Sequence, residues 1–169
     1  VTSVVVPDSI KEIKENAFKG VTKITNLEAI GVEKIGGGAF YGCTALVTFN
    51  APNAVELGDG VFEKCSKLND VKVGASIPAN QFKGCTALTD YDFTGIETIG
   101  DSAFYGCKLL SGIDLSGVKR IGNSAFRGCT GLTNLSLNGV ENIGDSAFYN
   151  TGLTSLTLTN IGTVGSSAF

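Results

Sequence analysis

A phenylalanine recurs along this chain at Phe18, Phe40, Phe62, Phe82, Phe104, Phe126, Phe148 and Phe169, at steps of 22, 22, 20, 22, 22, 22 and 21 residues. This period constrains the fold more than any other feature of the sequence. Self-similarity at about 20–50 residues marks a solenoid or a related array, in which one unit cannot bury its own apolar side and stacking makes the core continuous. Length is then no guide to domain count. The whole of 1–169 reads as one repeat solenoid of about seven to eight units of 20–22 residues.

The surroundings of the phenylalanine repeat with it. Apolar triplets follow at fixed offsets, as in Leu46, Phe49 and Ala51; Leu68, Val71 and Val73; Leu88, Tyr91 and Phe93; Leu110, Ile113 and Leu115; Leu132, Leu135 and Leu137. The last two members of each alternate with polar residues, the pattern of a half-buried strand. A second apolar pair precedes each ring, as in Val32 and Ile35, Val118 and Ile121, or Val140 and Ile143. It predicts a shorter strand on the opposite wall of the coil. A glycine and then Asp or Asn come next, as in Gly100-Asp101 and Gly122-Asn123. Such side chains cap free backbone N–H groups, so one helical turn is expected to carry Ala-Phe inward. Gly20, Gly42, Gly84, Gly106 and Gly128 stand two residues past the ring, where a left-handed backbone is expected. Asn150 tolerates that conformation. Lys64, in the same column, predicts strain or a local departure from it. Between Val71 and Phe82 the step shortens to 20, and Gly74-Ala75-Ser76-Ile77-Pro78-Ala79 lacks the apolar pair. A kink or a missing second strand is expected there, not a domain boundary.

Cys43, Cys65, Cys85, Cys107 and Cys129 each lie three residues after their phenylalanine. Equivalent positions in stacked coils are roughly 5 Å apart, so distance alone does not forbid disulfides between coils. Side chains in one column point the same way, however, which is poor disulfide geometry. Val21 and Thr151 fill the column elsewhere, which marks a small buried slot. The reading is a ladder of structural thiols, against a metal or redox role. There is no CxxC spacing and no histidine, so zinc has little support.

The net charge of −3 and the scattered bases argue against nucleic acid. No long apolar run predicts membrane insertion. The chain opens inside the apolar-alternating stretch Val4-Val5-Val6 and stops on Phe169 part-way through a repeat, without polar-faced caps. Both ends therefore read as cut within the array of a longer secreted or surface protein, and the uncapped coils allow end-to-end self-association.

The string Ile99-Gly100-Asp101-Ser102-Ala103-Phe104-Tyr105-Gly106-Cys107, followed by Leu110 through Leu115, closely resembles the repeat of BspA-like leucine-rich-repeat proteins. The match extends over Ile121 to Leu137 and Ile143 to Leu158 and, with wear, over the whole chain. The resemblance implies a right-handed leucine-rich-repeat coil, mainly β, with one parallel sheet wall, a shorter second strand ladder and the one-turn helices. It also implies an extracellular or cell-surface protein, often an adhesin that binds host or partner-cell proteins. The shared motif is a folding motif and carries no ligand-binding residue.

Chemistry is weakly served. Without histidine, nucleophile–histidine pairs are excluded, and the carboxylates are expected on an open wall where burial cannot tune them. No catalytic residue, cofactor or metal is assigned. Two surfaces remain as binding candidates. Outward strand positions place Asp70, Lys72, Asp90, Asp92, Asp114, Asn134 and Ser136 on one wall, a site for a basic protein segment or simply a solvated sheet face. Weak calcium binding there lacks a loop with ordered ligands. The residue after each ring forms an edge column in which Tyr41, Tyr105, Arg127 and Tyr149 can stack with cation–π character, and Glu63 can pair with Lys83. That column is either an interface or a stacking ladder belonging to the fold. Asn134-Leu135-Ser136 is also a glycosylation sequon, relevant only in a eukaryotic secretory pathway. The functional expectation is a non-enzymatic scaffold that binds a protein ligand. The alternative is a stalk or self-associating repeat with recognition elsewhere.

Overall fold

The structure is a computed structural model, and it describes residues 2–169. Two short strands alternate along most of the coils. They run in order as β1 (Ser3–Val5), β2 (Glu12–Ile13), β3 (Asn26–Glu28), β4 (Lys34–Ile35), β5 (Thr48–Asn50), β6 (Glu56–Leu57) and β7 (Asp70–Lys72). The later coils add β8 (Thr98–Ile99), β9 (Arg120–Ile121), β10 (Asn134–Ser136), β11 (Asn142–Ile143), β12 (Ser155–Thr157) and β13 (Thr163–Val164). All pairing is parallel, and each residue faces its repeat equivalent: Leu27 opposite Phe49 opposite Val71, and Ile99 opposite Ile121 opposite Ile143. The register follows from the repeat itself, because a slip by one residue would turn each inward Leu, Phe or Ile outward.

One hydrophobic core runs from Val6 to Ala168. The phenylalanine rings form its axis. Centroids of successive rings from Phe18 to Phe169 lie 5.0 to 5.8 Å apart in stacked geometry. Phe49, Tyr91 and Phe93 pack against this column from the strand side, Phe49 edge-on to Phe40 and Phe62.

The Ala-Phe segment is not the expected helical turn; no α-helix occurs among the described residues. The backbone donors alternate. The N–H groups of Ala103, Tyr105 and Cys107 go three residues back, to Gly100, Ser102 and Phe104, whereas those of Ser102, Phe104 and Gly106 cross to Asn123, Ala125 and Arg127 of the next coil at 2.8 Å. An α-helix needs every interior N–H for the carbonyl four residues back, and here half of them hold the neighbouring coil. The alternation requires left-handed residues at two points, Ser102 (φ 56°) and Gly106 (φ 74°). Asp101 and Asn123 do cap N–H groups, but of the following coil: Asp101 Oδ1 accepts from Asn123 N–H and Asn123 Oδ1 from Asp145 N–H, both at 2.8 Å.

The five glycines expected to be left-handed are so, as is Asn150 at φ 56°; Lys64 follows them at φ 63° instead of departing. A different glycine column is set by close approach. A Cβ on Gly122 would lie 2.7 Å from Asp101 N and 2.8 Å from Gly100 C.

The short fourth repeat interrupts both ladders. The second ladder divides into β2-β4-β6 and β8-β9-β11-β13, and in the short repeat Ile77 alone bridges, to Ile99 of β8. The missing second strand is thus found where the sequence loses its apolar pair. The wall, expected to be one sheet, also divides, into β1-β3-β5-β7 and β10-β12. Segments 90–92 and 112–114 do not pair as strands. Local bonds compete with the ladder there: Asp92 accepts from Thr94 N–H and Asp114 from Ser116 N–H, each at 2.9 Å. Gly112 adds a left-handed residue at φ 60°, which ends an extended strand. In the same short repeat Gln81 occupies the slot filled by Ala103 or Ala125 elsewhere. It is fully buried, and neither side-chain polar atom finds a partner among the described residues.

Candidate functional site

The strand wall positions its outward side chains by simple alternation. In β10, buried Leu135 separates exposed Asn134 and Ser136; in β7, Val71 separates exposed Asp70 and Lys72. Asp90, Asp92 and Asp114 are exposed as well. The division of the sheet splits this surface. Asp70 and Lys72 line an open depression with Asn26, Glu28, Thr48 and Asn50. Asp92 and Asp114 line another with Tyr91, Thr94, Gly112 and Ser116. Asn134 and Ser136 lie further along, on the second sheet. Asp70 and Asp114 therefore line different shallow depressions, while a third, lined by Lys72 and Asp92, lies between them. The Asp92 carboxyl is held below its ordinary value by the hydrogen bonds from Thr94. Among the described residues no three Cys, Asp or Glu side chains converge in a way that could hold a metal ion.

The edge column is assembled by the left-handed turns. Arg127 lies between two rings, its Cζ 5.9 Å from the Tyr105 centroid and 4.8 Å from that of Tyr149. Lys83 Nζ also lies over the Tyr105 ring at 5.9 Å and pairs with Glu63 at 3.7 Å. Tyr41 carries Lys19 at 5.2 Å and Lys64 at 5.0 Å. Lys64 also donates to the Tyr41 hydroxyl, which raises the lysine's pKa. The sequence-predicted stack of Tyr105, Arg127 and Tyr149 is thus present. The part of Lys64 was missed because it stands in the glycine column, one position further along the turn.

The thiols line the inside of the same turn. All five are free and buried. Each Sγ–H donates to the phenylalanine carbonyl of the preceding coil: Cys65 to Phe40 and Cys129 to Phe104 at 3.0 Å, Cys85 to Phe62 and Cys107 to Phe82 at 3.1 Å. Burial pushes the Cys85 and Cys107 thiols well up and that of Cys129 up to about 12. Thiols held neutral in this way are poor nucleophiles and poor metal ligands. Thr151 fills the equivalent slot but turns to its own coil, donating to the Phe148 carbonyl at 2.9 Å.

A scaffold with this turn chemistry, in this period, over this length, has a family. The BspA type leucine rich repeat region matches residues 1–77 and 74–169, in six copies. The chain belongs to the BspA-type leucine-rich repeat family. No curated protein matches it in sequence. Among solved structures, a leucine-rich repeat protein from Bacteroides ovatus is similar at 27% identity and a TM-score of 0.86, over 100% of this chain and 46% of that one. One from Eubacterium ventriosum matches at 26% identity and a TM-score of 0.78, over 91% of this chain and 44% of that one. A leucine rich cell surface protein from Faecalibacterium prausnitzii shares the fold at 23% identity and a TM-score of 0.76, over 92% of this chain and 47% of that one. This chain thus spans under half the length of these three relatives. As a BspA-type repeat scaffold, it commits the recurring positions to ring stack, thiol slot and turn. Among the described residues no helix is long and apolar enough to cross a membrane.

Proposed function

We propose that this chain is a single solenoid segment of a non-enzymatic, extracellular or cell-surface binding scaffold of the adhesin type, whose ligand is a protein. The observation that carries the reading is the division of labour within each coil. Inward positions and turn residues are used by the fold, while Asp70, Lys72, Asp90, Asn134 and Ser136 are exposed, differ from coil to coil, and hold nothing together. Side chains on adjacent coils of such a wall stand about 5 Å apart, which presents a patterned surface without a pocket, as repeat scaffolds do. Surface placement is what membership of the family implies. Asp92 and Asp114 contribute charge to this wall from fixed positions, since their carboxylates are tied to local N–H groups.

One observation favours the stalk reading: the wall lacks an exposed aromatic anchor of the kind that dominates protein interfaces, Tyr91 being turned into the core against Phe82 and Phe104. The two readings separate in one experiment. Immobilised chain is presented with purified extracellular-matrix and cell-surface proteins, alongside a variant with Asp70, Asp90, Asp92 and Asp114 changed to Ser. A ligand held by the first and released by the second supports wall recognition. Retention of no ligand by either, with oligomers growing with concentration in light scattering, supports the stalk.

A further inference from the structure

We infer that the Tyr105–Arg127–Tyr149 stack is a preorganised carboxylate clamp, and that the turn edge it belongs to docks an acidic peptide segment of a partner protein. This surface is distinct from the strand wall and does not depend on the reading given to that wall.

The two surfaces differ in charge. The wall carries Glu28, Asp70, Asp90, Asp92 and Asp114 against Lys72 alone, whereas the column beside the rings carries Lys19, Lys83 and Arg127 against Glu63, with Lys64 one position further along the turn. The acids at the start of the turn, Asp59, Asp101 and Asp145, accept from N–H groups of the following coil. Along this edge the cations are not equivalent. Lys83 is matched by Glu63, and Lys64 donates to Tyr41. Arg127 has neither kind of partner: among the described residues the ion pairs are Lys11–Glu33, Lys34–Glu12 and Lys83–Glu63. Its guanidinium is held by two rings and by no acceptor.

Rings on both faces leave the in-plane N–H donors of a guanidinium free. That fork matches a carboxylate in bidentate fashion, and fixing it beforehand reduces the entropy lost on binding. Lys83 and Arg127 both lie over the Tyr105 ring and obstruct stacking of a sugar on it. The exposed rims of Tyr105 and Tyr149 (37% and 45% accessible) leave hydroxyls beside the fork for a peptide backbone. Lys19 and Lys64 extend the same face toward the first coils, so a segment with several acids would follow the edge.

The test is fluorescence anisotropy of a short labelled oligoglutamate peptide with the full chain, at low and at physiological ionic strength. Binding that weakens with salt is expected. Arg127→Gln should weaken it about tenfold, and Arg127→Lys nearly as much, because a point charge does not replace the fork. The wall variant carrying four Asp→Ser changes should bind the peptide at least as well as the parent. Each variant's circular dichroism and melting are compared with the parent's, and Tyr149→Leu, which removes one ring but no charge, serves as a second probe with an expected weakening of about threefold. Oligoglutamate that fails to bind, or binds equally to Arg127→Gln, overturns the inference. So does full affinity in Arg127→Lys, or capture of polygalacturonate with none of the peptide.

Discussion

Truncating Phe104 tests the ring column where it is most enclosed. The side chain is fully buried. It stacks on Phe82 and Phe126 at 5.2 Å each and meets Tyr91 and Phe93 at 5.6 and 5.5 Å. A buried Phe→Ala change costs about 3–5 kcal/mol. With four aromatic neighbours, each such pair worth about 0.5–1.5 kcal/mol beyond burial, the expected loss for Phe104→Ala is near the upper end, about 4–5 kcal/mol. Phe169 has a single ring partner, Phe148 at 5.5 Å, and is 45% exposed; Phe169→Ala should cost about 1–2 kcal/mol. Phe104→Leu keeps apolar volume but removes the ring, and about 1–2 kcal/mol is expected. Urea unfolding followed by far-ultraviolet circular dichroism gives the three midpoints. The slope is compared as well, because solenoids can unfold in parts. An unchanged midpoint for Phe104→Ala, or equal losses at Phe104 and Phe169, would refute the ring column as the main support of the stack.

Two glycines separate two causes. Gly122→Ala places a Cβ at 2.7 Å from Asp101 N and should cost about 2–3 kcal/mol. Gly106→Ala meets nothing within 4 Å and carries only the penalty of its φ of 74°, about 1–2 kcal/mol; thermal melts that reverse this order would contradict the close-approach argument. Gln81→Leu removes a buried amide without partners at similar volume and should raise stability by about 1–2 kcal/mol in urea; a loss would show that the amide is satisfied in solution. The thiols should resist a disulfide reagent in the native state and react in urea. Because burial raises the folded pKa of Cys129 to about 12, the unfolded thiol, at roughly 8.5, ionises first. Stability is therefore full below that pH and falls as pH rises toward the folded value. Cys129→Val should flatten this decline in urea titrations between those limits, and an equal slope in the variant would refute it.

Most of the fold was legible because the period does the work of an alignment: columns read across coils identify ring, thiol slot, turn and strand. The helical turn was misread because Gly100-Asp101-Ser102-Ala103 carries the chemistry of a helix start. The contrary signal lay one column over, where Asn16, Gly38, Gly60, Asn80, Ser102, Ser124 and Ser146 share a left-handed backbone. Gly38 and Gly60 there indicate a positive φ, which a helix start does not use. The split of the wall was half legible: Gly112 in an otherwise alternating segment warned of a break, but the local bonds of Asp92 and Asp114 depend on turn geometry that spacing does not specify. The thiol bonds to Phe40 and Phe104 were hidden, since a column tolerating Val, Cys and Thr reports size and not hydrogen bonding. On the edge, neighbouring Tyr and Arg in one column sufficed to place the stack, whereas the lack of an ion pair at Arg127 among the described residues emerges only in three dimensions.

The proposed function rests on recognition by the outward strand positions. Surface plasmon resonance of the chain against a panel of purified extracellular-matrix and cell-surface proteins, with the Asp70, Asp90, Asp92 and Asp114→Ser variant run in parallel, measures this directly. At least one protein ligand is expected to bind the parent and to lose about tenfold or more in affinity on the variant. A ligand bound equally by both, or no ligand together with concentration-dependent oligomers, would contradict it.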